Sequence, residues 1–340
     1  MTDRRVAVGL ALAVVSAVCF GLSGPFAKAL IDAGWSANGA VLVRLGGAAA
    51  VLAVVLAVVR PGVLAAVRRD TPALLLYGVL AMAGVQVAFF NAVRYLPVPV
   101  ALLLEYLGPV LVVAWVWVVR RQPPTPRTVL GGAIAIVGLT LVVQIWNGAG
   151  LRWEGVAWGL LAAVCQASYF LVADRAGSRT PPLVLAGVGM AVGAVLVALL
   201  GLVGVLPVVI DVDATGVVLA DVDIGWPVAA GLLVLVSTVA AYLTGVAAIA
   251  RVGAARGSLI ALLEVVVSAL ASWLLLAQVP TAMQLAGGVL ILTGVALTQA
   301  APPAALADAP AGPEQDTGPG GQNERHAAPD HHPEPGHGRG

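Results

Sequence analysis

Charge is what this sequence has least of. Asp, Glu, Lys and Arg together make up 10% of its 340 residues, where a soluble domain carries roughly a quarter. A chain so poor in charge has no means of presenting a wettable surface, and with 60% hydrophobic residues and a mean hydropathy of +0.98 it reads as a membrane protein. Lysine is nearly absent, one against 17 arginines. With the Ala, Val and Gly richness this suggests a GC-rich bacterial genome. The net charge is +1 and the bases are scattered, so no basic stripe exists to neutralise phosphates and nucleic-acid binding is excluded. There are two cysteines, Cys19 and Cys165, both inside apolar runs. They make no disulfide framework and read as small hydrophobes. Histidine is missing from every apolar stretch, all four falling after residue 325. Without a Ser/His, His/Glu or paired-Asp constellation the chain lacks the groups for acid–base or metal chemistry, so no enzyme, cofactor or metal is expected.

What is there, in quantity, is long hydrophobic runs. A helix needs about 20 apolar residues to cross a hydrocarbon layer of about 30 Å. Charged, Pro-rich and Gly-rich punctuation divides the chain into ten such runs, at about 6–28, 37–59, 73–93, 98–119, 128–146, 155–173, 182–206, 227–249, 255–276 and 282–300. The first exceeds the apolar core of a signal peptide and reads as a retained span. Bases in the connections stay cytoplasmic. With the N-terminus inside, twelve arginines fall on that side and only Arg94 and Arg152 on the other. The expectation is a multi-pass protein of the bacterial cytoplasmic membrane with both termini in the cytoplasm. The outside loop 205–226 carries Asp211, Asp213, Asp221 and Asp223 without a base. It lacks the ligand spacing of a calcium loop and reads as a solvated acidic hairpin. Residues 301–340, rich in Pro, Gly and charge, predict a disordered tail. His326, His331, His332 and His337 in it make no convincing metal site.

Internal similarity organises the ten runs. ALLLEYLGPV (101–110) lies over IALLEVVVSA (260–269), which aligns Glu105 with Glu264. GGAIAIVGLTLV (131–142) matches GGVLILTGVALT (287–298), and SAVCFGLS (16–23) resembles AAVCQASY (162–169). Three matches in the same order imply two halves, 1–148 and 149–300, of five spans each. Five is odd, so the second half enters the membrane upside down, the inverted repeat of secondary transporters. Counting at 1.5 Å per residue puts Glu105 about 10 Å below one boundary and Glu264 about 15 Å above the other. The fold class expected is therefore an all-α membrane protein of ten transmembrane helices in two inverted five-helix repeats.

These residues resemble the EamA family of the drug/metabolite transporter superfamily. The likeness rests on the five-plus-five layout, the Leu-Leu-Glu of the fourth and ninth spans and the glycine pairs of the fifth and tenth. It covers about residues 6–300, and ALLLEYLGPV is similar to the matching segment of threonine/homoserine-type amino-acid exporters. The resemblance implies export of small metabolites, such as amino acids, by alternating access, often coupled to protons. Val265 stands where the family commonly has Pro, and Gln278 where a Glu is usual.

An ionisable group in mid-bilayer costs roughly 3 kcal/mol or more and is kept facing the bundle interior. Glu105 and Glu264 are thus candidates to carry a proton or meet a substrate amine, or else act as struts between helices. Arg44 attracts a substrate carboxylate or pairs with Glu105, and the ion pair is the reading preferred. Lys28 snorkels to the headgroups. Gln86, Asn91, Gln166 and Tyr169 join the candidate site as inward polar groups, and Trp115 as a cavity-lining aromatic or a member of the interfacial belt. Partners expected are a small-molecule substrate, protons and the lipid bilayer, with a homodimer left open. A multidrug or nucleobase-type transporter of the same fold, and a non-transporting scaffold or receptor, remain the alternatives.

Overall fold

The computed structural model describes residues 2–59, 67–144, 152–176, 180–253, 257 and 260–299, the side chains of 2–3 and 169–176 excepted. The expected tail with its four histidines lies outside these residues. Among the described residues eight helices are long and apolar enough to cross a membrane: α1 (Arg4–Asp32), α2 (Ala37–Val59), α3 (Thr71–Tyr95), α4 (Val98–Arg120), α5 (Pro126–Val143), α7 (Pro182–Leu202), α8 (Gly225–Val252) and α10 (Ala282–Gln299). Between them lie α6 (Trp153–Ala176) and α9 (Leu263–Leu276). At 14 residues, α9 extends only about 21 Å.

Four of these helices are irregular, for reasons written in the chain. Pro25 and Pro109 lack the N–H that would bond the carbonyl four residues back. α1 accordingly turns at Leu22, and α4 breaks at Tyr106 and Leu107, directly after Glu105. α3 and α8 each contain a π-helical stretch, Gly78–Gly84 and Leu232–Ala240. Within the latter, Ser237 and Thr238 both donate to the carbonyl of Leu233, at 2.8 Å each. The link between α3 and α4 is only Leu96 and Pro97, and Val98 N is capped by the Gln278 side-chain carbonyl at 3.1 Å. The glutamine that departs from the family pattern thus ties α4 to the α9–α10 turn.

Packing follows a pattern. α5 lies on α10 and α2 on α7, α1 packs on α8 and α9, and α6 packs on α3 and α4. Exchanging each helix with the one five places along returns the same set. α5 and α10 meet through the glycines that revealed the internal similarity. A Cβ on Gly138 would lie 2.6 Å from Gly287 O, and one on Gly294 would lie 2.4 Å from Gly131 O. Only glycine permits so close an approach of two backbones.

The acidic loop forms a small antiparallel hairpin, β1 (Val218–Leu219) with β2 (Val222–Asp223). Asp223 accepts from Gly216 N and Gly225 N, both at 3.0 Å. The segment leading into the hairpin is strapped to the helix ends. Trp35 Nε1 donates to Asp211 O at 2.8 Å, Trp226 donates to Val212 O at 2.6 Å, and the two indoles lie 5.7 Å apart. Trp226 therefore pins a loop at the end of α8. Lys28 forms an ion pair one turn along with Asp32.

Candidate functional site

The irregular helices converge. A cavity of about 210 Å³ is walled by α1, α2, α3, α4, α6, α8 and α9. Its polar groups are Arg44, Gln86, Glu105, Gln166, Glu264, Ser23 and Ser268, and its apolar walls include Phe20, Tyr77, Met82, Phe89 and Tyr242. The breaks supply its lining: Gly21, Ser23 and Gly24 come from the α1 turn, and Glu105 ends the first half of α4. A chain bent at these points directs polar groups to the space between helices, where backbone irregularity is tolerated at membrane depth.

Arg44 is 3% exposed. Its Nε donates to Thr238 Oγ1 at 2.9 Å and its Nη1 to Gln86 Oε1 at 2.7 Å, while the guanidinium lies 5.4 Å from the centre of the Phe90 ring. The expected ion pair with Glu105 is not formed, as no carboxylate oxygen lies within 4.0 Å of Arg44 among the described residues. The fork is held instead by neutral acceptors on α8 and α3, leaving its charge acting on both carboxyls at longer range. Glu105 accepts a long hydrogen bond from Gln166 Nε2 at 3.4 Å. Glu264 Oε2 and Ala261 O each lie 3.0 Å from the Tyr106 hydroxyl. Tyr106, at the α4 break, therefore clamps the start of α9. The Ser23 and Ser268 hydroxyls are buried with no hydrogen-bond partner among the described residues.

Five of the eight residues singled out from sequence meet here: Arg44, Gln86, Glu105, Gln166 and Glu264. Two do not. Asn91 donates to Asn38 Oδ1 at 2.9 Å and to Val87 O at 2.8 Å, and Asn38 reaches Pro207 O, so the pair fastens α3 and α2 to the acidic loop. Trp115 is 47% exposed on the outside of α4, away from the cavity. The side chain of Tyr169 lies outside the described residues. Sequence reasoning missed Tyr106 as a clamp, Thr238 as a holder of Arg44, and Ser23 and Ser268. The one available signal was the Gly-Pro pair that follows Ser23 and, in α4, Tyr106.

Comparison with known proteins places this arrangement. A curated relative, an uncharacterized inner membrane transporter YicL of Salmonella typhimurium, is 26% identical over 131 residues, 38% of this chain and 44% of that protein. The match thus spans less than half the length of that relative. A solved structure described only as "Crystal structure of protein" aligns with a TM-score of 0.52 at 22% identity, covering 88% of this chain and 98% of the other, a likeness of fold. The sequence profile of the EamA-like transporter family matches residues 7–144 and again 153–299. These two stretches take in nearly every described residue of the helical bundle, and the chain belongs to the EamA-like transporter family.

Proposed function

We propose that this chain is a secondary transporter of the inner membrane that exports small metabolites, amino acids or close relatives, by alternating access coupled to protons. The observation that carries the proposal is a single mid-bundle cavity holding one buried cation and two carboxyls. Arg44 offers a site for a substrate carboxylate, and Glu105 and Glu264 offer sites for an amine or a proton. The size supports a small substrate, since drug-sized ligands occupy roughly 300–1,000 Å³ and this cavity measures about 210 Å³. A multidrug role is correspondingly disfavoured, and threonine/homoserine-type specificity rests on the ALLLEYLGPV resemblance alone.

The mechanism proposed uses two inverted halves, 1–148 and 149–300, rocking about the cavity. The exchange symmetry of the helix packing supports it, as do the paired π-stretches of α3 and α8. Proton coupling is supported by the geometry at Tyr106. A phenol has one proton to offer two acceptors at 3.0 Å, Ala261 O and Glu264 Oε2. Both contacts become full hydrogen bonds when Glu264 itself carries a proton and donates it to the phenol. Cytoplasmic termini complete the proposed topology, supported by the bias of arginines in the connections.

The test is flux in reconstituted vesicles with and without a pH gradient, using a panel of amino acids and related metabolites. Flux driven by the gradient, and lost in a folded Glu105→Gln variant, is the result expected. Full activity of that variant removes Glu105 from the mechanism, and no flux for the panel favours a scaffold or receptor.

A further inference from the structure

We propose that one end of the bundle binds a single anionic phospholipid, with its phosphate against Arg94 and Arg152 and an acyl chain in a groove between α4, α9 and α10. The groove has a volume of about 350 Å³ and is lined chiefly by apolar side chains, among them Val100, Leu103, Val266 and Val289. It faces outward: Val266, Leu285 and Val289 are 46%, 53% and 64% exposed. At bilayer depth the medium that meets such a slot is hydrocarbon, not water. Its polar members are already engaged, Gln278 by Val98 N and Gln284 by Thr281.

The groove runs into a second pocket of about 260 Å³, with which it shares Pro97, Val100 and Gln284. This second pocket carries Arg152 beside Tyr95, at the membrane boundary where α3 ends and α4 and α6 begin. Arg94 and Arg152 both lie over the Tyr95 ring, 5.5 and 5.4 Å from its centre. Two like charges share one ring, and among the described residues neither has a carboxylate within 4.0 Å. The seven residues before Arg152 carry no acid, and Glu154, two residues after it, is exposed and makes no ion pair with it among the described residues. In the span assignment from sequence these are also the only two arginines in the connections on their side of the membrane. Two cations around one ring at the headgroup level, next to an apolar slot at acyl depth, complement the shape and charge of a phospholipid with an anionic head.

The site has a mechanical consequence. Leu103, Val265 and Val266 face the groove, while their neighbours Leu102, Glu105, Glu264 and Ser268 face the central cavity. α4 and α9 are therefore a wall one helix thick between lipid and cavity, and a bound acyl chain braces the elements that carry both carboxyls.

The experiment is native mass spectrometry of the purified full chain titrated with phosphatidylglycerol or phosphatidylcholine. The wild type is expected to retain one phosphatidylglycerol in preference to phosphatidylcholine. An Arg94→Gln/Arg152→Gln variant should bind it roughly thirtyfold more weakly, as expected for two bases at a membrane surface. Both arginines are exposed, so this variant is expected to fold, with size-exclusion elution and circular dichroism as checks. Gly288→Leu, which directs a side chain toward Leu103 in the groove, should weaken the lipid adduct as well. Inorganic phosphate at millimolar concentration should leave the lipid in place, because it lacks the chain. Equal lipid binding by wild type and the double arginine variant overturns the proposal. So does displacement by phosphate alone, or a groove substitution that abolishes a dimer while leaving the lipid adduct intact.

Discussion

Replacing Arg44 by Gln separates a substrate-binding cation from a structural one. Arg44 is the buried cation of the cavity, and its hydrogen bonds go to neutral partners, Thr238 and Gln86. Its charge is therefore available to an incoming carboxylate. A hydrogen bond to a charged group is worth about 1.5–3 kcal/mol, which corresponds to about tenfold to 150-fold in affinity. Arg44→Gln is expected to raise the apparent KM for an amino-acid substrate by that factor. For the matching amine, which lacks the carboxylate, KM should move by no more than about threefold, a bound set by the roughly 0.6 kcal/mol typical of hydrogen bonds between membrane helices. The assay is initial-rate uptake into proteoliposomes with the acid and the amine side by side. Equal loss for both would refute the reasoning, because a strut between α2, α3 and α8 has no way to distinguish the two substrates.

Tyr106→Phe removes the hydroxyl that joins α4 to Glu264 and Ala261. The variant should lose about 1–3 kcal/mol of stability, read as a lower midpoint in thermal or detergent unfolding, together with the pH dependence of flux. An unchanged midpoint would show that the clamp does not hold α9. Ser268→Ala deletes a buried hydroxyl that has no partner among the described residues, so stability should stay the same or rise. If Ser268 meets the substrate, binding should weaken by up to about tenfold, which isothermal titration would detect. At the α5–α10 crossing, Gly138→Val drives a side chain into Gly287 O and should destabilise by about 3 kcal/mol or more. Gly132→Ala, whose Cβ finds nothing nearer than 3.7 Å, should fold normally. Comparable yields of the two variants from membranes would contradict the close crossing.

Much of this protein was legible in its sequence because the bilayer limits what a chain can do. Backbone groups in hydrocarbon must bond within the segment, so long apolar runs between charged breaks become helices. Eight of the ten runs read from sequence correspond to helices long and apolar enough to cross a membrane among the described residues, and the sixth and ninth fall on α6 and the shorter α9. The cost of an ionisable group in lipid also drew attention to Glu105, Glu264 and Arg44, and these meet in one cavity. Hydropathy is blind to which side of a helix a residue occupies. Asn91 and Gln86 lie on the same helix, five residues apart. That spacing rotates Asn91 away from the cavity toward Asn38, while Gln86 receives Arg44.

The local breaks were present in the chain as Gly24-Pro25 and Gly108-Pro109, since proline withdraws a backbone donor wherever it stands. What those breaks accomplish was decided by tertiary structure. Only packing of α1 and α4 against α9 puts Ser23, Glu105 and Glu264 around one space, and only the meeting of α2, α3 and α8 gives Arg44 neutral partners instead of the carboxylate that sequence proximity in type had suggested. The sequence by itself determined that polar groups lie inside an apolar bundle, because the energy of placing them in lipid forbids the alternative. Their choice of partner depended on distances of a few ångströms between helices far apart in the chain, which the tertiary packing alone sets.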